Sequence, residues 1–115
     1  MTDKITRDEL RTMLDRGEAV TLVEALPEPY YRKAHLPGAL LLPHDRVDEL
    51  APALLPDKAA AIVVYCADLS CPNSAIAAER LTALGYARVR EYAEGKQDWI
   101  DAGLPTERDL ATRAA

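Results

Sequence analysis

The chain has 115 residues, 49% hydrophobic and 29% charged, which is the size of one domain and too apolar for a disordered segment. Its 14 Lys and Arg stand against 19 Asp and Glu, a net charge of -5 with the signs interspersed, so a polyanion such as nucleic acid is excluded as the expected partner. No stretch approaches the roughly 18 continuous apolar residues of a membrane span, and Met1-Thr2-Asp3-Lys4 lacks the apolar core of a secretion signal, so a soluble cytoplasmic protein is expected.

Thr6-Arg7-Asp8-Glu9 has the form of a capping box, and Leu10, Met13 and Leu14 follow at helical spacing, which predicts a helix from Arg7 to Arg16 ended by Gly17. Ala19 to Val23 then reads as a strand. Pro27-Glu28-Pro29 breaks the chain, Tyr30 to Ala34 supplies a helical turn, and Pro37-Gly38 forces another turn before a brief strand at Ala39 to Leu42. Val47, Leu50, Ala51, Leu54 and Leu55 mark one face of a helix bent or interrupted by Pro52.

Ala60 to Tyr65 is continuously apolar without alternation, the pattern of a strand buried on both faces, and is expected at the centre of the sheet. Cys66 closes it. The loop Ala67 to Asn73 leads into a helix over Ser74 to Leu84, stopped at Gly85. Arg88 to Tyr92 alternates and predicts a strand nearer the sheet edge, and Lys96 to Ala102 a last short helix around Trp99. The expected fold class is α/β: a central, mostly parallel sheet of four to five strands with helices on both faces. One domain is expected over 1–115, its core at about 5–107, with 108–115 a polar tail.

Candidate chemistry centres on Cys66. In an open parallel sheet, ligands sit beyond the carboxyl ends of the strands, where helix N-termini aim unpaired N–H groups into a shared crevice. A thiolate there is stabilised by the helix that follows. Cysteine at a strand end also serves as a small core residue, and position alone leaves both roles open. Cys71, five residues on, closes too short a ring to act as a structural staple, so no disulfide framework is expected. His35 and His44 lack paired ligand spacing, so no metal site and no cofactor are expected. Candidate crevice-lining residues are Tyr31, Arg32 and His35, each with a structural reading beside it: packing for Tyr31, solvated surface for Arg32 and a backbone hydrogen bond in its turn for His35; Arg32 and Lys33 are the bases nearest to hand for an anion, and Trp99 reads as a core anchor.

Four motifs, in order, resemble the rhodanese-like domain family over about Ile5 to Glu107. His35-Leu36-Pro37-Gly38-Ala39 is similar to its HIPGA turn, and Val63-Val64-Tyr65-Cys66 to the strand leading to its catalytic cysteine. Ser74 to Leu81, with Gly85-Tyr86, resembles the helix after the cysteine loop. Gly95-Lys96-Gln97-Asp98-Trp99 with Gly103-Leu104-Pro105 resembles the closing signature. The resemblance implies a single-domain sulfurtransferase in which Cys66 carries sulfane sulfur as a persulfide, from a small-molecule donor to a thiol or other nucleophile, with a protein acceptor also in scope. The substrate-binding loop is then Ala67, Asp68, Leu69, Ser70, Cys71, Pro72 and Asn73.

This chain departs from the family pattern in instructive places. Ser74 follows Cys66 by eight residues where six is usual, lengthening the loop. The loop holds one acid, Asp68, and no base, which disfavours thiosulfate as donor. Glu24-Ala25-Leu26 stands where an Asp-Val-Arg triplet is usual, Ala34 replaces the glycine before the histidine, and Glu94 replaces the first of two glycines before Trp99. Cys71 is a candidate resolving thiol, able to attack a persulfide or sulfenic acid on Cys66 and leave a disulfide. Two alternatives follow: a dithiol redox protein using Cys66 and Cys71, and a catalytically silent binding module with the same fold. A phosphatase would need an arginine to close the loop, where Asn73 and Ser74 stand.

Overall fold

A computed structural model describes residues 3–109. Its helices and strands alternate as β1 (Asp3–Lys4), α1 (Arg7–Asp15), β2 (Thr21–Glu24), α2 (Glu28–Lys33), β3 (Leu40–Leu41), α3 (Val47–Leu54), β4 (Ala61–Tyr65), α4 (Asn73–Ala83), β5 (Arg88–Tyr92) and α5 (Gly95–Asp101). The five strands form one sheet in the order β1-β5-β4-β2-β3, and every pairing is parallel. The apolar run thus takes the middle position, and β5 lies one strand in from the edge. The predicted tail falls outside the described residues from 110 onward.

A buried parallel sheet needs apolar cover on both faces, and it has two hydrophobic clusters. One joins Val23, Ile62, Val64 and Val89 to Ala51 of α3 and to Ala77, Ala78 and Leu81 of α4. The other joins Leu22, Val63 and Tyr65 to Leu10 of α1, Tyr31 of α2 and Trp99 of α5. Alternation along the strands sorts these residues: Val63 and Tyr65 face one way, Ile62 and Val64 the other.

Local chemistry sets the element ends. The Thr6 hydroxyl accepts from the Glu9 N–H at 3.1 Å while the Glu9 carboxylate accepts from the Thr6 N–H at 2.9 Å, the reciprocal capping box expected from the sequence. Pro52 lies inside α3 without ending it; the helix stops two residues later, where Tyr86 Oη donates toward the Leu55 carbonyl at 2.5 Å. The strand β1 was not expected, because two polar residues carry no pattern; it exists through pairing with Arg90 and Glu91 of β5. No helix among the described residues is long and apolar enough to cross a membrane.

Candidate active site at the end of the central strand

The register of β4 carries the chain from a fully buried Tyr65 directly into Cys66, which is itself 0% exposed. The loop that follows is folded by its own polar groups. The Asp68 carboxylate accepts from the Ser70 hydroxyl at 2.6 Å and from the Ser70 N–H at 3.0 Å, and the Asp68 carbonyl accepts from the Cys71 N–H at 3.1 Å. Those bonds, the Ser70 hydroxyl first, hold the Asp68 carboxyl below the usual carboxylate range. This turn returns Cys71 to within 6.4 Å of Cys66, Cα to Cα, and the two sulfurs are bonded as a disulfide. No disulfide framework was expected from so short a ring; the bond present is the Cys66–Cys71 disulfide that the resolving-thiol alternative named, and the tight Asp68–Cys71 turn brings the two sulfurs together. It also consumes the Ser70 and Cys71 N–H groups, so these two do not face the sulfur as a cradle.

One element clamps the base of this loop. The first turn of α5 spends N–H groups on it: Lys96 donates to the Cys66 carbonyl and Gln97 to the Ala67 carbonyl, both at 2.8 Å. Gly95 makes that approach feasible. Its φ is +77°, and a Cβ there would stand 2.8 Å from the Cys66 carbonyl oxygen. The preceding Glu94 has φ -65° and Ala34 has φ -168°, conformations open to any residue, which explains why both family glycines are dispensable here.

Beneath the loop lies a buried ion pair that sequence reasoning missed. Glu24, wholly buried at the end of β2, accepts from Lys96 Nζ at 3.0 Å and from the Tyr65 hydroxyl at 2.7 Å. Lys96 Nζ also donates to the carbonyls of Tyr30 and Ala34, at 3.0 and 2.6 Å, so one ammonium ties β2, α2 and α5 together. Burial pushes the Glu24 carboxyl above its ordinary range, more than Lys96 pulls it down. Glu24 in place of the usual aspartate was the available signal, with Lys96 as the one base in the closing motif.

The crevice residues proposed from sequence are placed elsewhere. Tyr31 and His35 are 1% and 0% exposed and stack on each other at 3.8 Å in the core, with His35 Nδ1 2.8 Å from the Tyr31 carbonyl. They are corrected from lining to packing residues, since an aromatic pair flanking the Pro37-Gly38 turn buries more surface inward than it would at a rim. Arg32 pairs with Glu28 along α2 at 2.6 Å. Trp99 is buried and donates to the Pro105 carbonyl at 2.8 Å, an anchor as expected. The hollow beside the cysteine loop is lined by Asp68, Leu69 and Ser70 on one side and by Glu94, Gln97, Asp98 and Asp101 on the other. It is acidic, and among the described residues no lysine or arginine lines it, though Arg7 pairs with Asp98 at 3.0 Å.

Ser74, 1% exposed in the first turn of α4, brings its hydroxyl within 3.5 Å of Cys66 Sγ and donates to Glu91 at 2.6 Å. The alternation of Arg88 to Tyr92 was the signal for Glu91, which shares the inward face of β5 with Val89.

Fold and site together define an α/β domain that buries a cysteine at the carboxyl end of the middle strand of a parallel sheet. The chain belongs to the rhodanese-like domain family, whose model matches residues 6–102. It is 34% identical over 105 residues to an HTH-type transcriptional regulator of Mycobacterium tuberculosis, covering 91% of this chain and 45% of the regulator, so it spans less than half the length of that relative. Among solved structures, a rhodanese-like domain from Anabaena sp. is 28% identical with a TM-score of 0.81, covering 98% of this chain and 84% of that one. A thiosulfate sulfurtransferase from Pseudomonas aeruginosa is 26% identical with a TM-score of 0.81, covering 98% of this chain and 23% of that one.

Proposed function

We propose that this domain is a sulfurtransferase in which Cys66 carries sulfane sulfur as a persulfide and Cys71 resolves it when no acceptor intervenes. The observation that carries this reading is the bonded pair Cys66 and Cys71 in the loop at the end of β4. Family membership and likeness to a solved sulfurtransferase support it.

In the reduced protein the Cys66 thiolate attacks the outer sulfur of a donor persulfide R–S–SH; the new sulfur–sulfur bond forms on Cys66 as the donor leaves as a thiol. An acceptor thiol, small or on a protein, takes that outer sulfur. Failing this, the Cys71 thiolate attacks Cys66 Sγ, the Cys66–Cys71 bond forms, and hydrosulfide departs. An external dithiol, itself oxidised to a disulfide, returns both cysteines to thiols. The acidic hollow disfavours thiosulfate and favours donors that bring no strong negative charge. The disulfide also supports a second reading, a dithiol redox protein that handles no sulfane sulfur.

Intact-mass measurement separates these. Reduced Cys71→Ser protein incubated with glutathione persulfide is expected to gain one sulfur atom on Cys66, and the unmodified protein to release sulfide while forming its disulfide. Absence of both, across glutathione persulfide, polysulfide, mercaptopyruvate and thiosulfate, defeats the sulfurtransferase reading. A disulfide formed with peroxide but never with a sulfur donor would select the redox reading.

A further inference from the structure

Glu91 plays no part in the chemistry above, yet its setting is unusual for a carboxylate. It is 7% exposed on the face of β5 beneath α4, and its hydrogen bond comes from the Ser74 hydroxyl. Among the described residues no cation pairs with it. Its register partner on β4 is Val64; on β1 it is Lys4, which is exposed at the sheet edge. From α4 and the loop it is approached by Ser74 and, beyond Ser74, by Cys66. Glu24, the other buried acid, has a lysine and a tyrosine for partners.

A hydroxyl has one proton and two lone pairs. Ser74 gives its proton to Glu91, which leaves its oxygen, 3.5 Å from Cys66 Sγ, as an acceptor. In this structure the sulfur is bonded to Cys71 Sγ, and its remaining polar neighbour is the Cys71 carbonyl oxygen at 3.3 Å, which carries no proton to give. In the disulfide form Cys66 is shut off from solvent. Of its side-chain neighbours in the protein, Ser74 is the one placed to relay a proton to or from this sulfur once the disulfide is open.

We propose that Glu91, acting through the Ser74 hydroxyl, is the proton partner of Cys66. The inference rests on the reading of Cys66 as the reacting thiol. As a thiol, Cys66 directs its S–H at Ser74 Oγ while Ser74 donates to the Glu91 carboxylate. When the sulfur becomes charged, the thiol proton passes to Ser74 and the Ser74 proton to Glu91, so the three groups hold one negative charge in either arrangement. The reverse path protonates Cys66 as it is released from the disulfide by an external thiol. Glu91 is a positioning residue: its charge decides whether the Ser74 proton points toward the carboxylate or toward the sulfur.

The test is the rate of Cys66 alkylation by iodoacetamide as a function of pH in the full chain carrying Cys71→Ser, which leaves Cys66 as its one thiol. No sulfur donor takes part, so failure here is distinct from failure of the sulfurtransferase reading. With Ser74 and Glu91 in place, Cys66 is expected to ionise in two steps, as coupled sites do. Glu91→Gln is expected to collapse these to one step and to speed alkylation near neutral pH about tenfold, one unit of titration, because a neutral amide no longer opposes the thiolate and turns the Ser74 proton toward it. Ser74→Thr should keep the two-step profile, and the effect of Glu91→Gln should be diminished once Ser74→Ala is present, because only the through-space share of it remains. An unchanged profile in Glu91→Gln overturns the proposal, as does an undiminished effect of Glu91→Gln in the Ser74→Ala background. Should Glu91→Gln fail to fold, the comparison of Ser74→Ala with Ser74→Thr decides: equal profiles in the two overturn it.

Discussion

Replacing Gly95 by alanine tests how tightly α5 holds the cysteine loop. The new Cβ would sit 2.8 Å from the Cys66 carbonyl oxygen and 2.9 Å from both the Ala67 carbonyl carbon and the Asp68 nitrogen. All three are backbone atoms, so no side chain can swing aside; the loop or the helix must retreat by about 0.5 Å to restore ordinary contact. Two costs add. The left-handed backbone, φ +77°, disfavours any Cβ by about 1 kcal/mol, and the forced retreat adds about 2 kcal/mol. Together these lower the melting temperature by about 12 °C for a domain of this size. Gly103 is the internal control: its φ is +76° but nothing lies within 4 Å of the added Cβ, so Gly103→Ala should carry the backbone cost alone, about 4 °C. Thermal unfolding followed by circular dichroism reads both. Equal losses in the two variants would refute the tight clamp, and with it the claim that α5 sets the position of the Cys66 carbonyl.

Further outcomes follow from the buried polar groups. Lys96→Met should cost about 3 kcal/mol at neutral pH by stranding the Glu24 charge, and urea titrations should show much of that cost recovered in the double variant with Glu24→Gln. Because burial holds the Glu24 carboxyl above its usual range, the folded protein keeps a proton there that the unfolded chain has already lost; stability contributed by this group declines as pH rises through that window, and Glu24→Gln should remove the decline. Tyr65→Phe leaves the Leu36 N–H and one Glu24 oxygen without the phenol, and should cost about 2 kcal/mol in the same assay. Thr6→Ala, at the capping box of α1, should cost about 1 kcal/mol.

Most of the fold was written in short-range pattern. The apolar run of β4, the alternation of β5 and the Thr6 cap each specify their elements through local physics, and observed ends differ from expected ones by a residue or two where helices fray or strands lose their partners. What escaped was set by tertiary partners: β1 has no signal without β5, and Glu24 with Lys96 and Ser74 with Glu91 join residues 72 and 17 positions apart. Within the site, the place of Cys66 was legible because strand ends are where parallel sheets do chemistry. The Cys66–Cys71 disulfide was legible only as one alternative, since it depends on the Asp68 turn, which separation along the chain does not reveal. Tyr31 and His35 were misplaced because aromatic residues beside a turn look alike whether they face a rim or the core.

The bonded pair of sulfurs, Cys66 buried and Cys71 half-buried, bears on how this protein meets oxidative damage. Conversion of a cysteine to sulfinic or sulfonic acid starts from a free thiolate and passes through its sulfenic acid. With Cys66 joined to Cys71 and shielded from solvent, neither precursor is present. Peroxide arriving at the oxidised protein therefore finds no sulfur to destroy at this position. The vulnerable interval is confined to the reduced state, in which both thiols are free to react.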